Sequence, residues 1–155
     1  MTDSPTSSWK RFCMTDRPLR VVVDTNVLLS FLIKRNSVPG VVVQHVLEHH
    51  RLLISSPVIE ELASKCRKGK FRSYFTLEEG AEFVELLERV GGLVPIRTGV
   101  VACRDAKDNM FLDLALSGRA DLLISGDKDL SDMKGLGGTA ILPPKQCMRL
   151  LVPGS

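Results

Sequence analysis

No stretch of this 155-residue chain approaches the roughly 20 consecutive apolar residues that span a bilayer, which excludes a membrane-spanning helix. The first twenty residues hold Ser, Thr, Pro, Trp9, Lys10 and Arg11 without an apolar core segment, so no secretory signal is visible. Cysteine is sparse. Cys13, Cys66, Cys103 and Cys147 form no Cys-x-x-Cys pair, which argues against a disulfide framework and against a zinc site built from thiolates alone. Reduced thiols of a cytoplasmic protein are the expectation. A strong charge of one sign is missing as well: the formal net charge of +3 suits a polyanionic partner without demanding one. No internal repeat or second domain is evident. What remains is a composition of 44% hydrophobic and 25% charged residues, that of a globular chain long enough to bury a core.

Residues 1–19 have no hydrophobic period and read as a flexible leader. Met14-Thr15-Asp16 repeats Met1-Thr2-Asp3, so Met14 is an alternative start on this reading. From 20 to 152 short apolar runs alternate with helical patterns. Arg20-Val21-Val22-Val23 predicts a strand buried on both faces, and Leu28, Leu29, Leu32 and Ile33 then recur at helical spacing, with Asp24 or Thr25 as N-cap. A second helix is expected over Val41 to His49, a strand at Leu52 to Ile54, and a helix from Ser56-Pro57 to Cys66. Thr76-Leu77-Glu78-Glu79 is a capping box for a helix reaching Val90. Leu93 to Ile96 predicts a third strand, Asp105 to Gly118 a helix, and Leu122 to Ile124 a fourth strand. A polar turn at 125–129 follows, then a fifth strand at Thr139 to Leu142 and a closing helix over Pro144 to Leu151. This alternation implies a three-layer α/β/α sandwich around a central parallel sheet.

In such sheets ligands bind outside the carboxyl ends of the strands. Asp24 and Asp127 follow the first and fourth strands, where a carboxylate so near an apolar core is costly unless a cation or donors satisfy it. Asp108 shares a helix face with Phe111, Leu112 and Ala115, so it is expected beside the core. Taken singly, Asp105 and Asp108 also suit a helix N-terminus as ordinary capping acids. Glu60 and Glu61 flank the apolar face of their helix almost symmetrically, and periodicity does not choose between them. Hard oxygen ligands without His or Cys suit Mg²⁺ or Mn²⁺. Paired ions of that kind can activate water and stabilise the leaving oxygen in phosphodiester cleavage.

Three segments resemble one family. Val21-Val22-Val23-Asp24-Thr25-Asn26-Val27-Leu28-Leu29-Ser30 resembles the opening motif of PIN-domain nucleases, Arg104 to Ala115 the helix bearing their third acid, and Ala120 to Leu130 their late strand and turn. Their order and spacing agree from about Arg20 to Leu151, and the nearest branch is the VapC-like group of bacterial toxin–antitoxin systems. The resemblance implies a flavodoxin-like parallel sheet and Mg²⁺- or Mn²⁺-dependent endonucleolytic cleavage of single-stranded RNA. It also implies a homodimer and a cognate antitoxin as partner. It puts the catalytic, metal-binding acids at Asp24, Glu61, Asp108 and Asp127, with Glu61 preferred because it precedes Leu62. Asn26 and Ser125 match polar positions that orient the acids and water, with Asp105 and Asp129 as further supporting acids. Ser125 stands where Thr is more usual but keeps the hydroxyl; Ala106 replaces a common Pro, and Lys107 a frequent acid.

The segment from Lys65 to Phe75 mixes cations and aromatics. Lys65, Arg67, Lys68, Lys70 and Arg72 could track phosphates while Tyr74 stacks on an unpaired base, as against a solvated connection whose aromatics anchor it to the core. Two other functions compete with the nuclease. One is a non-catalytic module of the same fold that binds RNA or protein. The other is a zinc metallopeptidase, since His45, Glu48 and His49 form a His-x-x-Glu-His pattern on a predicted helix; so short a motif also arises by chance.

Overall fold

A computed structural model of the chain describes residues 17–97, 109–133 and 135–154. Its centre is β1 (Arg20–Val23), whose three valines are at most 2% exposed. β1 pairs in parallel with β2 (Arg51–Ile54) on one side and β4 (Leu122–Ile124) on the other, with Val21 opposite both Leu52 and Leu122. β3 (Gly92–Leu93) extends the sheet beyond β2, and β6 (Thr139–Leu142) lies parallel beyond β4. β5 (Gly135–Leu136) closes the far edge antiparallel to β6, giving the order β3-β2-β1-β4-β6-β5.

The pleat divides the β1 valines between two cores. Val21 and Val23 face one with Leu28, Val42, Val46, Leu62 and Leu87. Val22 faces the other with Leu53, Phe111, Leu112, Leu114, Leu123 and Ile141. The first core is covered by α1 (Thr25–Ile33), α2 (Val38–His49), α4 (Leu77–Val90) and α7 (Pro144–Leu151). The second lies under α5 (Asn109–Ser117) and α6 (Lys128–Ser131), while α3 (Ser56–Cys66) sends Leu62 to the first and Val58 to the second. Helices on both faces of a mostly parallel sheet make the α/β/α sandwich that the alternation predicts. No described helix is long and apolar enough to cross a membrane.

Local signals account for the helix starts. Ser37, Ser55 and Thr76 each accept a backbone N–H as N-caps, Pro stands in the first turn of α2, α3 and α7, and the Thr76–Glu79 capping box forms with both its hydrogen bonds. Several expectations need correction. β3 lies at Gly92–Leu93 rather than Leu93 to Ile96, because its partner β2 ends at Ile54 and Ser55 turns away to cap α3. The sheet is not wholly parallel: β6 forms as expected, but the two-residue β5, with Leu136 its one apolar side chain, offers no strand signal in the sequence and pairs antiparallel to it. The turn between them uses Gly137 at φ +59°, a conformation that favours glycine. Part of the polar turn at 125–129 winds into α6. Leu19, inside the expected leader, is 1% exposed, its N–H donating to His50 Nδ1 (3.0 Å) and its carbonyl accepting from Arg51 N (2.9 Å). Residues 1–16 of the leader lie outside the described residues, as does the 105–108 portion of the expected helix.

Candidate active site

The carboxyl ends of the adjacent strands β1 and β4 carry Asp24 and Ser125. The parallel ladder runs one bond past each strand: Asp24 N donates to the Ile124 carbonyl (3.0 Å) and Ser125 N to that of Leu142 (3.1 Å). Asp24 then caps α1, its Oδ1 accepting from Asn26 N (2.7 Å) and Val27 N (3.1 Å). Of the two cap candidates it is therefore Asp24, not Thr25, that serves. Its Oδ2 accepts a short hydrogen bond from the Ser125 hydroxyl, and that same Oγ accepts from Asp127 N (3.0 Å). Ser125, fully buried, thus ties the end of β1 to the turn after β4. Asp127 caps α6 through Oδ1, which accepts from Asp129 N (2.8 Å), and Asp129 sits half-buried in the first turn of that short helix.

Asp24 is 5% exposed, and among the described residues no Lys or Arg lies within ion-pair distance of it. Three donors satisfy the anion, and they leave it facing a cavity of about 350 Å³. Asp24, Asn26, Ser30, Pro39, Asp127 and Pro144 are among its lining residues. The donors there are hard oxygens with no sulfur or imidazole, a set that fits Mg²⁺ or Mn²⁺ rather than zinc.

Glu61 approaches from α3. Its side chain is 19% exposed and its Oε2 lies 3.5 Å from Thr25 Oγ1, next to Asp24 in the chain, whereas Glu60 is exposed. Tertiary packing thereby separates two glutamates that helical periodicity treats alike. Asp24, Asn26 and Asp127 come together at one cavity, with Ser125 buried behind them; Glu61 joins through the residues at the start of α1 rather than by lining the cavity itself. Asp105 and Asp108 lie outside the described residues. Among the described residues, no three His, Cys, Asp or Glu side chains are arranged so that they alone could hold a metal ion.

The basic segment divides. Arg67, Lys68 and Lys70 are exposed, with Lys70 5.2 Å from the Phe71 ring centre, and Tyr74 is 57% exposed. Arg72 instead folds back: its guanidinium donates to the carbonyls of Cys66 and Lys68 and lies 5.4 Å from the Phe75 ring centre. Lys65 points the opposite way, toward α1, where Nζ donates to Thr25 Oγ1 (2.9 Å) and Asn26 Oδ1 (3.1 Å) and lies 3.8 Å from Glu61 Oε1. Thr25 is a site member that sequence reasoning missed, and Lys65, expected among the phosphate-tracking cations, lies instead against Thr25, Asn26 and Glu61. The i, i+4 spacing of Glu61 and Lys65 was the available signal, masked by the run of cations that follows.

The histidine motif does not assemble a zinc site. His45 and His49 rings lie 4.6 Å apart, and Glu48 is engaged by Gln44 and lies 3.7 Å from His49. No zinc-holding group of three forms there, so the peptidase reading fails. Burial chiefly lowers the His45 and His50 pKa values from the ordinary 6.5, with neighbouring histidines adding to the effect. Burial likewise raises the Cys66 thiol above its usual range, against the pull of Arg72 and Arg67.

Comparison with known proteins agrees with this fold. The family model described as PIN domain matches residues 20–129. The uncharacterized protein MJ1680 of Methanocaldococcus jannaschii is 32% identical over 118 residues, covering 75% of this chain and 76% of that protein. Among solved structures, VapBC2 from Rickettsia felis bound to a DNA fragment from their promoter superposes with a TM-score of 0.57 at 12% identity. It covers 81% of this chain and 98% of that one. VapBC-1 from nontypeable Haemophilus influenzae gives 0.56 at 15% identity, over 82% and 99%. At such identities these two structures attest the fold.

Proposed function

The chain belongs to the PIN domain family, whose members are generally nucleases that use divalent metal ions, and on that premise we propose that it is an Mg²⁺- or Mn²⁺-dependent endoribonuclease acting on single-stranded RNA. One observation carries the reading: Asp24 and Asp127, following adjacent parallel strands and tied together by the Ser125 hydroxyl, which donates to the Asp24 carboxylate and accepts from Asp127 N, both front a cavity about 350 Å³ in volume. Asp24 and Asp127 would hold the ion, with Glu61 and Asp108 as the further acids of the set. A bound dication supplies a nucleophilic water near neutral pH and neutralises charge building on the phosphate. The chain's own groups orient it. Ser125 fixes the Asp24 carboxylate in rotation, the α1 amides hold its other oxygen, and Asn26 stands at the cavity edge within reach of a water or phosphate oxygen.

Substrate approach is assigned to the exposed cations Arg67, Lys68 and Lys70, with Tyr74 as a stacking surface for an unpaired base. Its fold, shared with the two VapBC structures, supports a toxin role with a cognate antitoxin as partner; a homodimeric assembly is part of the proposal on the family resemblance alone. The test is cleavage of a fluorophore-quencher single-stranded RNA by the purified chain. EDTA should abolish cleavage and Mn²⁺ should restore it. Cleavage that persists in EDTA would refute metal dependence, and RNA retention without cleavage at any Mn²⁺ concentration would favour a binding module.

A further inference from the structure

Lys65 stands in the last turn of α3, and its side chain runs back toward the start of α1 instead of out into solvent, leaving 23% of it exposed. Its ammonium meets three side-chain oxygens from three residues: Thr25 Oγ1 at 2.9 Å, Asn26 Oδ1 at 3.1 Å and Glu61 Oε1 at 3.8 Å. The Thr25 hydroxyl, having accepted from Lys65, is free to turn its own proton toward Glu61 Oε2, 3.5 Å away. Carboxylate, amide oxygen and hydroxyl converging on one point form a hard-oxygen seat for a cation. Here the chain fills that seat with its own charge.

Resting on the nuclease reading above, we infer that Lys65 takes the place a second divalent ion would occupy beside Glu61, so that the site holds a single exchangeable ion on its Asp24–Asp127 side. The electrostatics favour this division. An ammonium and a dication competing for the same oxygens repel at short range, and a seat only partly open to water screens that repulsion poorly. The two cations also differ in chemistry. A lysine ammonium does not generate a metal-bound hydroxide, but it is a compact point charge able to donate to a phosphate oxygen. Lys65 therefore neutralises charge on the Glu61 side, while an ion held by Asp24 and Asp127 would supply the activated water. Its neighbours Arg67, Lys68 and Lys70 are exposed and reach none of these oxygens.

The experiment is calorimetric titration of the full chain with MnCl₂ alone, without RNA. The wild-type chain should take up one Mn²⁺. Lys65→Met, near in length but uncharged, should take up two, and Lys65→Arg, which keeps a cation, should stay at one. Circular dichroism melts check that each variant is folded; Lys65→Gln substitutes for Lys65→Met if the latter fails to fold. Two Mn²⁺ in the wild-type chain, or one in both neutral variants, would overturn the inference. Wild-type binding of two ions with metal-dependent RNA cleavage intact sinks this inference alone, whereas a chain that binds no Mn²⁺ and cleaves nothing sinks the nuclease reading beneath it.

Discussion

Replacing Asp24 in two ways separates its chemical role from its structural one. The side chain accepts two backbone N–H groups at the head of α1 and one hydroxyl from Ser125, all in a buried setting. Asp24→Ala removes every one of these. Loss of an N-cap costs about 1 kcal/mol, and stripping the acceptor from a buried hydroxyl adds about 2 kcal/mol. Together they amount to roughly 3 kcal/mol, which in a chain of this length lowers Tm by roughly 6–12 °C. Asp24→Asn behaves differently. Asn caps helices about as well as Asp and its Oδ1 keeps both amide contacts; its Nδ2 cannot accept from the Ser125 hydroxyl but can donate to Ser125 Oγ instead, and a buried negative charge disappears. That variant keeps the cap and should therefore lose less stability than Asp24→Ala, about 2 kcal/mol at most. Cleavage should fall at least about 10²-fold in both, because the charge that would draw in the metal is gone from both. Thermal melts and a fluorogenic RNA assay on the same preparations decide the matter. Wild-type cleavage by Asp24→Asn, or an unchanged Tm in Asp24→Ala, would refute the reasoning.

Two further outcomes are expected. Glu61→Gln should reduce cleavage at least about tenfold while Glu60→Gln leaves it unchanged, since only Glu61 reaches the start of α1; equal effects in steady-state RNA cleavage would undo the geometric choice between them. Stability should also depend on pH through α2. The His45 and His50 pKa values are depressed in the folded state, chiefly by burial, and His50 Nδ1 must stay unprotonated to accept the Leu19 N–H. Their contribution is therefore complete above the unfolded value of 6.5 and is lost as pH falls through the depressed folded values. Lowering pH from about 7.5 to about 5.5 should reduce the wild-type Tm more than that of a His45→Gln/His50→Gln variant; parallel pH profiles would count against this linkage.

Much of the architecture could be read along the chain because its signals are local. Three consecutive valines followed by an acid describe a buried strand ending at a polar rim. Proline in the first turn and Ser or Thr caps mark helix starts, and these elements form as expected. Asp24 and Asp127 were legible for the same reason: each follows an apolar run at a strand's carboxyl end. β5 and the bounds of β3 were not, since strands of two residues exist only through their pairing, β3 with the distant β2 and β5 with the adjoining β6.

What the sequence by itself determined is the alternation of elements, and with it the sandwich and the rim on which the first and last acids stand. Tertiary structure alone decided which glutamate of the Glu60–Glu61 pair turns inward, that Ser125 bridges two strand ends, and that Lys65 leaves its run of cations to lie among Thr25, Asn26 and Glu61. The physical reason is range. Caps and periodicity act within a turn or two of the chain, whereas a hydrogen bond between residues forty or a hundred positions apart depends on how α3 and β4 settle against β1 and α1.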